Sequence, residues 1–351
     1  MQPPTITIAG RKIGPGYPTY VIAEMSGNHN QSFEQAVKIV RAAKDAGADA
    51  IKLQTYTADT ITLDSDLPCF RVVEGTLWSG QTLYKLYQEA YTPWDWQPKL
   101  KSVADEFDLH CFSSPFDATA VDFLEAMDVP AYKVASFELV DLPLIEKMAR
   151  TGKPIIMSIG AATVGEIDDA VRAARQAGAA GLALLKCTSA YPAPPQEMNL
   201  RTIPHLAEMF AVPAGLSDHS MGIAVPVAAV ALGACIIEKH LTIDRGDGGP
   251  DSAFSLEPHE FRAMVDEIRV AEQALGGVRY EVTEREAVAR VYRRSLFVVK
   301  DIRQGETFTA DIVRSVRPAD GLPPKYLRQV LGRKATRDIV AGSPLAWEMI
   351  G

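Results

Sequence analysis

The sequence predicts an α/β protein: a closed (β/α)8 barrel followed by a small, mainly β domain. Three observations predict it. Over roughly the first 280 of 351 residues, a short apolar, β-branched run alternates with a longer stretch of helical periodicity, eight times in all. The runs are nearly continuously apolar, as in parallel strands covered on both faces. Beyond Gly276-Gly277 the alternation stops and short β runs between turns replace it. An open doubly wound sheet is the alternative, but no GxGxxG turn follows the first strand, which weakens a dinucleotide-binding version of it.

The strand candidates are 20–24 (YVIAE), 48–55 (ADAIKLQT), 109–115 (LHCFSSP), 131–136 (AYKVAS), 154–160 (PIIMSIG), 182–187 (LALLKC), 214–219 (AGLSDH) and 235–241 (CIIEKHL). Between them, 33–46 sets Ala36, Val37, Val40, Ala43 and Ala46 on one helical face, and Gly47 ends it. The 163–177 segment has Thr163 as N-cap and Gly178 as its stop, while 225–232 is apolar nearly all round and closes at Gly233. About 50 residues separate the second and third strands, rich in aromatics from Phe70 to Trp96, more than a loop and helix need. An insert on this side of a barrel belongs to the site or is a packed surface excursion. The domains read as 1–277 for the barrel, 278–292 for a polar, helix-prone linker, and 293–351 for the second domain, with β runs at 295–299, 301–305 and 337–344.

Hydrophobic residues make up 47% of the chain, enough for a sizeable core. A net charge of −8 argues against nucleic acid or an anionic membrane as partner. No run approaches the length of a membrane span, and the start at Met1 lacks the basic and apolar regions of a signal peptide. The four cysteines, Cys69, Cys111, Cys187 and Cys235, are far apart and form no CxxC pair, as expected of reduced thiols in a cytoplasmic protein.

In a barrel, the C-terminal strand ends converge on one mouth. Here they are polar: Glu24, then Asn28 and His29; Lys52 and Gln54; Ser113 and Ser114; Lys133, Ser136 and Glu138; Ser158; Lys186, Thr188 and Ser189; Ser217, Asp218 and His219; Glu238, Lys239 and His240. Lysines within apolar runs are costly to bury unpaired. Lys52, Lys133, Lys186 and Lys239 recur at similar depth, and since alternate side chains point inward, not all face the lumen. Ammonium groups and small hydroxyls around one mouth suit a ligand carrying a phosphate and a carboxylate; pairing with acids such as Glu24 and Glu238 is the structural alternative. His219 and His240, on neighbouring strands, either share a divalent metal or serve structural and proton-carrying roles. The 246–255 loop, GDGGPDSAFS, either offers a ligand close backbone approach, with Asp251 and Ser252 as polar groups, or is merely a flexible loop.

These segments carry a family resemblance. AEMSGNHNQ at 23–31, IKLQTYTADTITL at 51–63, SSPFD at 113–117, YKVASFE at 132–138, LLKCTSAYPAP at 184–194, GLSDHS at 215–220, IEKHLT at 237–242 and GGPDSAFSLEP at 248–258 resemble the sialic acid synthase superfamily. TLWSGQTLYKLYQEAYTPWDW at 76–96 is most similar to its pseudaminic acid synthase branch, and the tail from Arg293 resembles the antifreeze-like SAF domain. The resemblance implies condensation of phosphoenolpyruvate with the open-chain aldehyde of a modified hexosamine, with release of phosphate. For the pseudaminic branch that sugar is 2,4-diacetamido-2,4,6-trideoxy-L-altrose. It implies a divalent cation, manganese or magnesium, at His219 and His240. It implies phosphoenolpyruvate contacts at Lys52, Ser114, Lys133, Ser136, Ser158, Ser189 and Ser217, catalytic carboxylates at Glu24 and Glu138, and sugar contacts at Tyr191, Asp251 and Arg317. It also implies a homodimer in which the SAF domain covers the other subunit's mouth. The chain departs from sialic acid synthases at Ser114, Ser189 and the SIG of 158–160. Synthases of N-acetylneuraminic or legionaminic acid, a metal-dependent pyruvate aldolase, and a silent sugar-binding module are the competing readings.

Overall fold

The computed structural model describes residues 3–75 and 77–351; Met1 and Gln2, at the start read above for a leader, and Thr76, within the aromatic insert, lie outside the described residues. The chain forms two compact units, 1–276 and 277–351.

The first unit opens with a hairpin that the sequence reading did not name, β1 (Ile6–Ile8) and β2 (Arg11–Ile13). It buries Ile6, Ile8 and Ile13, and a Cβ on Gly181, just before the sixth barrel strand, would come within 2.9 Å of Ile6. Then follow β3 (Tyr20–Glu24), β4 (Ala50–Thr55), β5 (His110–Pro115), β6 (Tyr132–Val134), β7 (Ile155–Ser158), β8 (Leu182–Cys187), β9 (Ala214–Asp218) and β10 (Ile236–His240). All pair in parallel, and β10 returns to β3 to close the barrel. These are the eight expected strands, with ends trimmed. The fourth is the shortest, because residues 136–140 leave the strand for a 3-10 turn.

The helices form for local reasons. Ser32 accepts from Gln35 N at the start of Phe33–Asp45, whose inner face buries Ala36, Ile39, Val40 and Ala43. Thr163 and Glu166 make a reciprocal capping box on Val164–Ala177, and Gly178 ends it in the left-handed region. Each fully buried Ile or Val contributes on the order of 1.5–3 kcal/mol, so these faces hold the helices to the barrel. Among the described residues of the aromatic interval lie two α-helices, Ala58–Ile61 and Leu83–Ala90, before the barrel helix Gln97–Glu106.

In the second unit, β11 (Ser295–Val298) pairs antiparallel with β12 (Val313–Val316). Two expected β runs, 301–305 and 337–344, are not strands: an isolated bridge, Ile302 with Ile339, joins them, and another, Phe297 with Pro344, joins the second run to β11. The partner strand β12 escaped the sequence reading because Arg314 interrupts its apolar pattern and only Val313 is buried. Leu296, Val298, Ile302, Phe308, Val313 and Leu345 form part of this unit's own core. The stretch after Gly277 holds an exposed helix, Glu284–Ala289, capped by Thr283.

Candidate active site

The barrel brings four charges out of water within one layer. Glu24 is 1%, Lys52 3%, Lys133 1% and Glu238 4% exposed. Lys52 Nζ lies 2.6 Å from Glu24 Oε2 and 3.8 Å from Glu238 Oε1, and Lys133 Nζ lies 3.9 Å from that same Glu238 oxygen. Register explains the convergence: Glu24 stands opposite both Lys52 and His240, and Glu238 stands opposite Ser217. Hydroxyls complete the layer. Lys52 donates to Ser114 Oγ at 3.3 Å, Lys133 to Ser158 Oγ at 2.7 Å, and Ser217 Oγ to Glu238 Oε1 at 3.0 Å.

The charges divide unequally. Burial pushes Glu24 up to about 7; Lys52 opposes the shift and Glu238 adds to it. Burial acts on Glu238 in the same sense, but Lys133 and Lys52 overcome it and hold that carboxyl below its ordinary value. Burial lowers Lys133, whereas in Lys52 the two carboxylates outweigh burial and raise it. Glu238 therefore acts as the fixed negative charge, and Glu24 as the carboxyl able to exchange a proton near neutrality. The sequence reading had treated Glu238 only as a possible pairing partner. The signal that identifies it is its position two residues before His240 on the same strand.

The four lysines split two and two. Lys239 donates to Asp218 Oδ2 at 2.6 Å and to the Ser220 carbonyl, and Lys186 to the Cys187 carbonyl at 2.7 Å and Thr188 Oγ1 at 3.2 Å. Each sits one residue out of phase with the lumen-facing set, so neither joins the charged layer.

Above it lie the histidines. Thr188 O is 3.1 Å from His219 Nδ1; a carbonyl only accepts, so Nδ1 carries a hydrogen, and in the neutral ring the lone pair is at Nε2. Cys187 Sγ is 3.8 Å from the same nitrogen; burial alone raises its thiol, but His219 brings it down to about 7. The His219 and His240 rings stand edge to face at 5.3 Å. His240 is held well below its ordinary value by burial and by His219, hence neutral, and its Nδ1 lies 3.8 Å from Asp251 Oδ2. Among the described residues, His240 Nδ1, Glu138 Oε2 and Ser189 Oγ are buried without a hydrogen-bond partner. Cys187 and the Thr188 carbonyl outweigh burial and raise His219, so a divalent cation at this pair would take the place of that ring's second proton, beside the orphaned nitrogen of His240. Among the described residues no group of three His, Cys, Asp or Glu is gathered as a ligand set, so protein would fill only part of the shell.

The remaining expected residues fall on three sides. Ser136 and Ser189 meet over Gly160, where a Cβ would come 2.7 and 2.2 Å from their hydroxyls. Glu138 sits on the 3-10 turn after β6, and burial pushes it up to about 7. Tyr191, in a cis Tyr191–Pro192 bond, stacks at 4.5 Å on His219, 5.5 Å from Trp78 and 5.2 Å from Phe254. Trp78 Nε1 donates to Pro250 O at 2.7 Å, joining the insert to the 246–255 loop. Arg317 belongs to the second unit, exposed just beyond β12. Ser26 and Gln54, which the sequence reading did not assign, link Glu24 to Asp251: Gln54 Nε2 donates to Glu24 Oε1 at 3.0 Å and to Ser26 Oγ at 3.3 Å, and Ser26 donates to Asp251 Oδ2.

Two family models match the chain. The NeuB family matches residues 39–280 and the SAF domain residues 293–351. The pseudaminic acid synthase of Campylobacter jejuni subsp. jejuni (strain 81-176) is 46% identical over 93% of this chain and 95% of its own. That of Helicobacter pylori (strain 26695) is 44% identical over 94% of this chain and 97% of its own. Among solved structures, the N-acetylneuraminic acid synthetase of Leptospira borgpetersenii in complex with citrate aligns with a TM-score of 0.72 and 32% identity, covering 81% of this chain and 94% of that one.

Proposed function

The chain belongs to the NeuB family and ends in a SAF domain, and on that premise we propose that it condenses phosphoenolpyruvate with 2,4-diacetamido-2,4,6-trideoxy-L-altrose, releasing phosphate and forming pseudaminic acid. The observation that carries the reading is the buried layer of Lys52 and Lys133 with Ser114, Ser158 and Ser217 beneath the histidine pair. Two ammonium groups and several hydroxyls match the phosphate and carboxylate of phosphoenolpyruvate. Ser136 and Ser189 extend that surface, and Gly160 leaves room for a ligand oxygen between them. The likeness to pseudaminic acid synthases over most of the chain supports the choice of sugar.

His219 and His240 would hold a divalent metal, manganese or magnesium, which would supply Lewis acidity at the sugar carbonyl. The chain's own residues do the rest. Lys52 and Lys133 hold the enol phosphate so that its C3 faces the aldehyde carbon, and their charge stays with the phosphate as it departs. Glu24, poised near neutrality, stabilises positive charge developing at C2 and orients the water that adds there. Glu138 is the second proton-handling carboxyl. Tyr191, Trp78 and Phe254 offer apolar walls suited to a deoxy carbon and acetyl methyls, and Asp251 accepts from a sugar hydroxyl. A cytoplasmic homodimer, in which Arg317 of the partner subunit reaches the sugar, belongs to the same proposal and rests on the family resemblance.

Phosphate release tests the reading. It is expected to be faster with the diacetamido altrose than with N-acetylmannosamine, to stop after chelation, and to return with manganese or magnesium. Equal or reversed rates reject the sugar. Condensation from pyruvate without phosphate release rejects the reaction, and full activity in the chelated protein rejects the metal.

A further inference from the structure

Ser26 occupies a backbone conformation that favours glycine, with φ at +47°. The neighbouring glycine, Gly27, is not in that conformation; it is explained instead by the helix carbonyl of Ala90, which a Cβ would approach to 3.1 Å. The strained position therefore carries a side chain, and the side chain is 3% exposed within the mouth. Its hydroxyl both donates and accepts. Gln54 Nε2 only donates, so Ser26 Oγ accepts there, and its own hydrogen goes to Asp251 Oδ2. Asp251 Oδ2 is the oxygen 3.8 Å from His240 Nδ1.

We infer that Ser26 is a positioning residue: its hydroxyl turns the Asp251 carboxylate toward the histidine pair and fixes the 246–255 loop for the acceptor sugar. The inference rests on the synthase reading above. Two further contacts agree with it. Asn28 Nδ2, on the same turn, donates to Leu241 O and Ser255 Oγ, both at 2.9 Å, and Asn30 Nδ2 donates to Gly248 O at 2.7 Å. The turn after β3 thus holds the sugar-side loop at several points, but only Ser26 among these reaches a carboxylate facing the histidines. Among the described residues no hydrogen bond or ion pair joins the phosphate-side lysines to Ser26 or Asp251; Ser26 reaches them only through Gln54 and Glu24, so loss of the hydroxyl acts on the sugar side first.

The test compares Ser26→Ala and Ser26→Gly with the intact protein in the phosphate-release assay, with melting temperatures measured in parallel. Ser26→Ala is expected to lower kcat/KM for the sugar about tenfold, equivalent to about 1.4 kcal/mol, and to leave KM for phosphoenolpyruvate unchanged. Ser26→Gly, which suits the left-handed backbone, is expected to lose the same activity while melting within a few degrees of wild type. Wild-type kcat/KM in the glycine variant would overturn the inference, as would a loss shared by both substrates that follows a fall in melting temperature. An intact protein that releases no phosphate with any sugar fails at the synthase reading itself, a result distinct from either.

Discussion

Glu138 is a buried carboxyl whose Oε2 finds no hydrogen-bond partner among the described residues, and burial pushes it up to about 7. In the unfolded chain such a group titrates near 4.3. The folded state thus binds its proton more tightly, and stability is highest below the unfolded value and falls as pH rises through about 7. Glu138→Gln removes the buried charge at high pH but changes nothing once the acid is protonated. It is expected to raise the melting temperature by about 2–5 °C at pH 8 and by nothing measurable at pH 4.5, as followed by calorimetry. The same substitution is expected to slow phosphate release, a trade of stability for function. An equal shift at both pH values would mean that shape, not charge, sets the cost.

At the scale of the strand, position within the pleat decides what a lysine does. Lys133 of β6 and Lys239 of β10 are both buried, yet they face opposite sides of the sheet. Lys239 and Asp218 form a closed pair on adjacent strands, opposite each other in register. Replacing Lys239 with Met strands a buried carboxylate and is expected to cost about 3–5 kcal/mol. Lys133 has no carboxylate so near: Glu238 is 3.9 Å away, its short bonds go to neutral oxygens, Ser158 Oγ at 2.7 Å and Val134 O at 2.8 Å, and burial already lowers it. Lys133→Met is expected to abolish phosphoenolpyruvate binding, seen by calorimetric titration, with little loss in denaturant midpoint. If the two variants lost stability equally, the division between ligand-facing and structural lysines would be wrong.

At the scale of the molecule, the question is what covers the barrel mouth. A unit of this size, 277–351, has a small core, and its leading segment through Tyr292 is exposed. Expulsion of water from the mouth strengthens every charge interaction in it. The swapped arrangement proposed above is tested by co-expressing His219→Ala with Arg317→Ala, each expected to be inactive alone. In a mixed two-fold dimer one mouth then carries both lesions and the other none, so random pairing restores roughly a quarter of wild-type sites. No restoration would place Arg317 over the mouth of its own chain, and an active Arg317→Ala variant would remove it from the site.

The barrel was legible from the sequence because its signal is local. Apolar strands, capped helices and Gly stops such as Gly178 report on their own neighbours, and all eight strands lie where periodicity put them. Most candidate site residues were legible too, since strand ends in a barrel share one mouth. The second unit was less so: its core depends on isolated bridges and on β12, whose single buried residue leaves no alternating pattern. Pairing also lay beyond the sequence. Four lysines at similar depth read alike in one dimension, and only the closed sheet turned Lys52 and Lys133 toward Glu238 and left Lys239 with Asp218. The sequence by itself determined the barrel, its polar mouth and the residue types available there. Tertiary structure decided which carboxylate stays charged, which takes up a proton and why a serine holds a glycine's conformation, because each depends on burial and on partners hundreds of residues away.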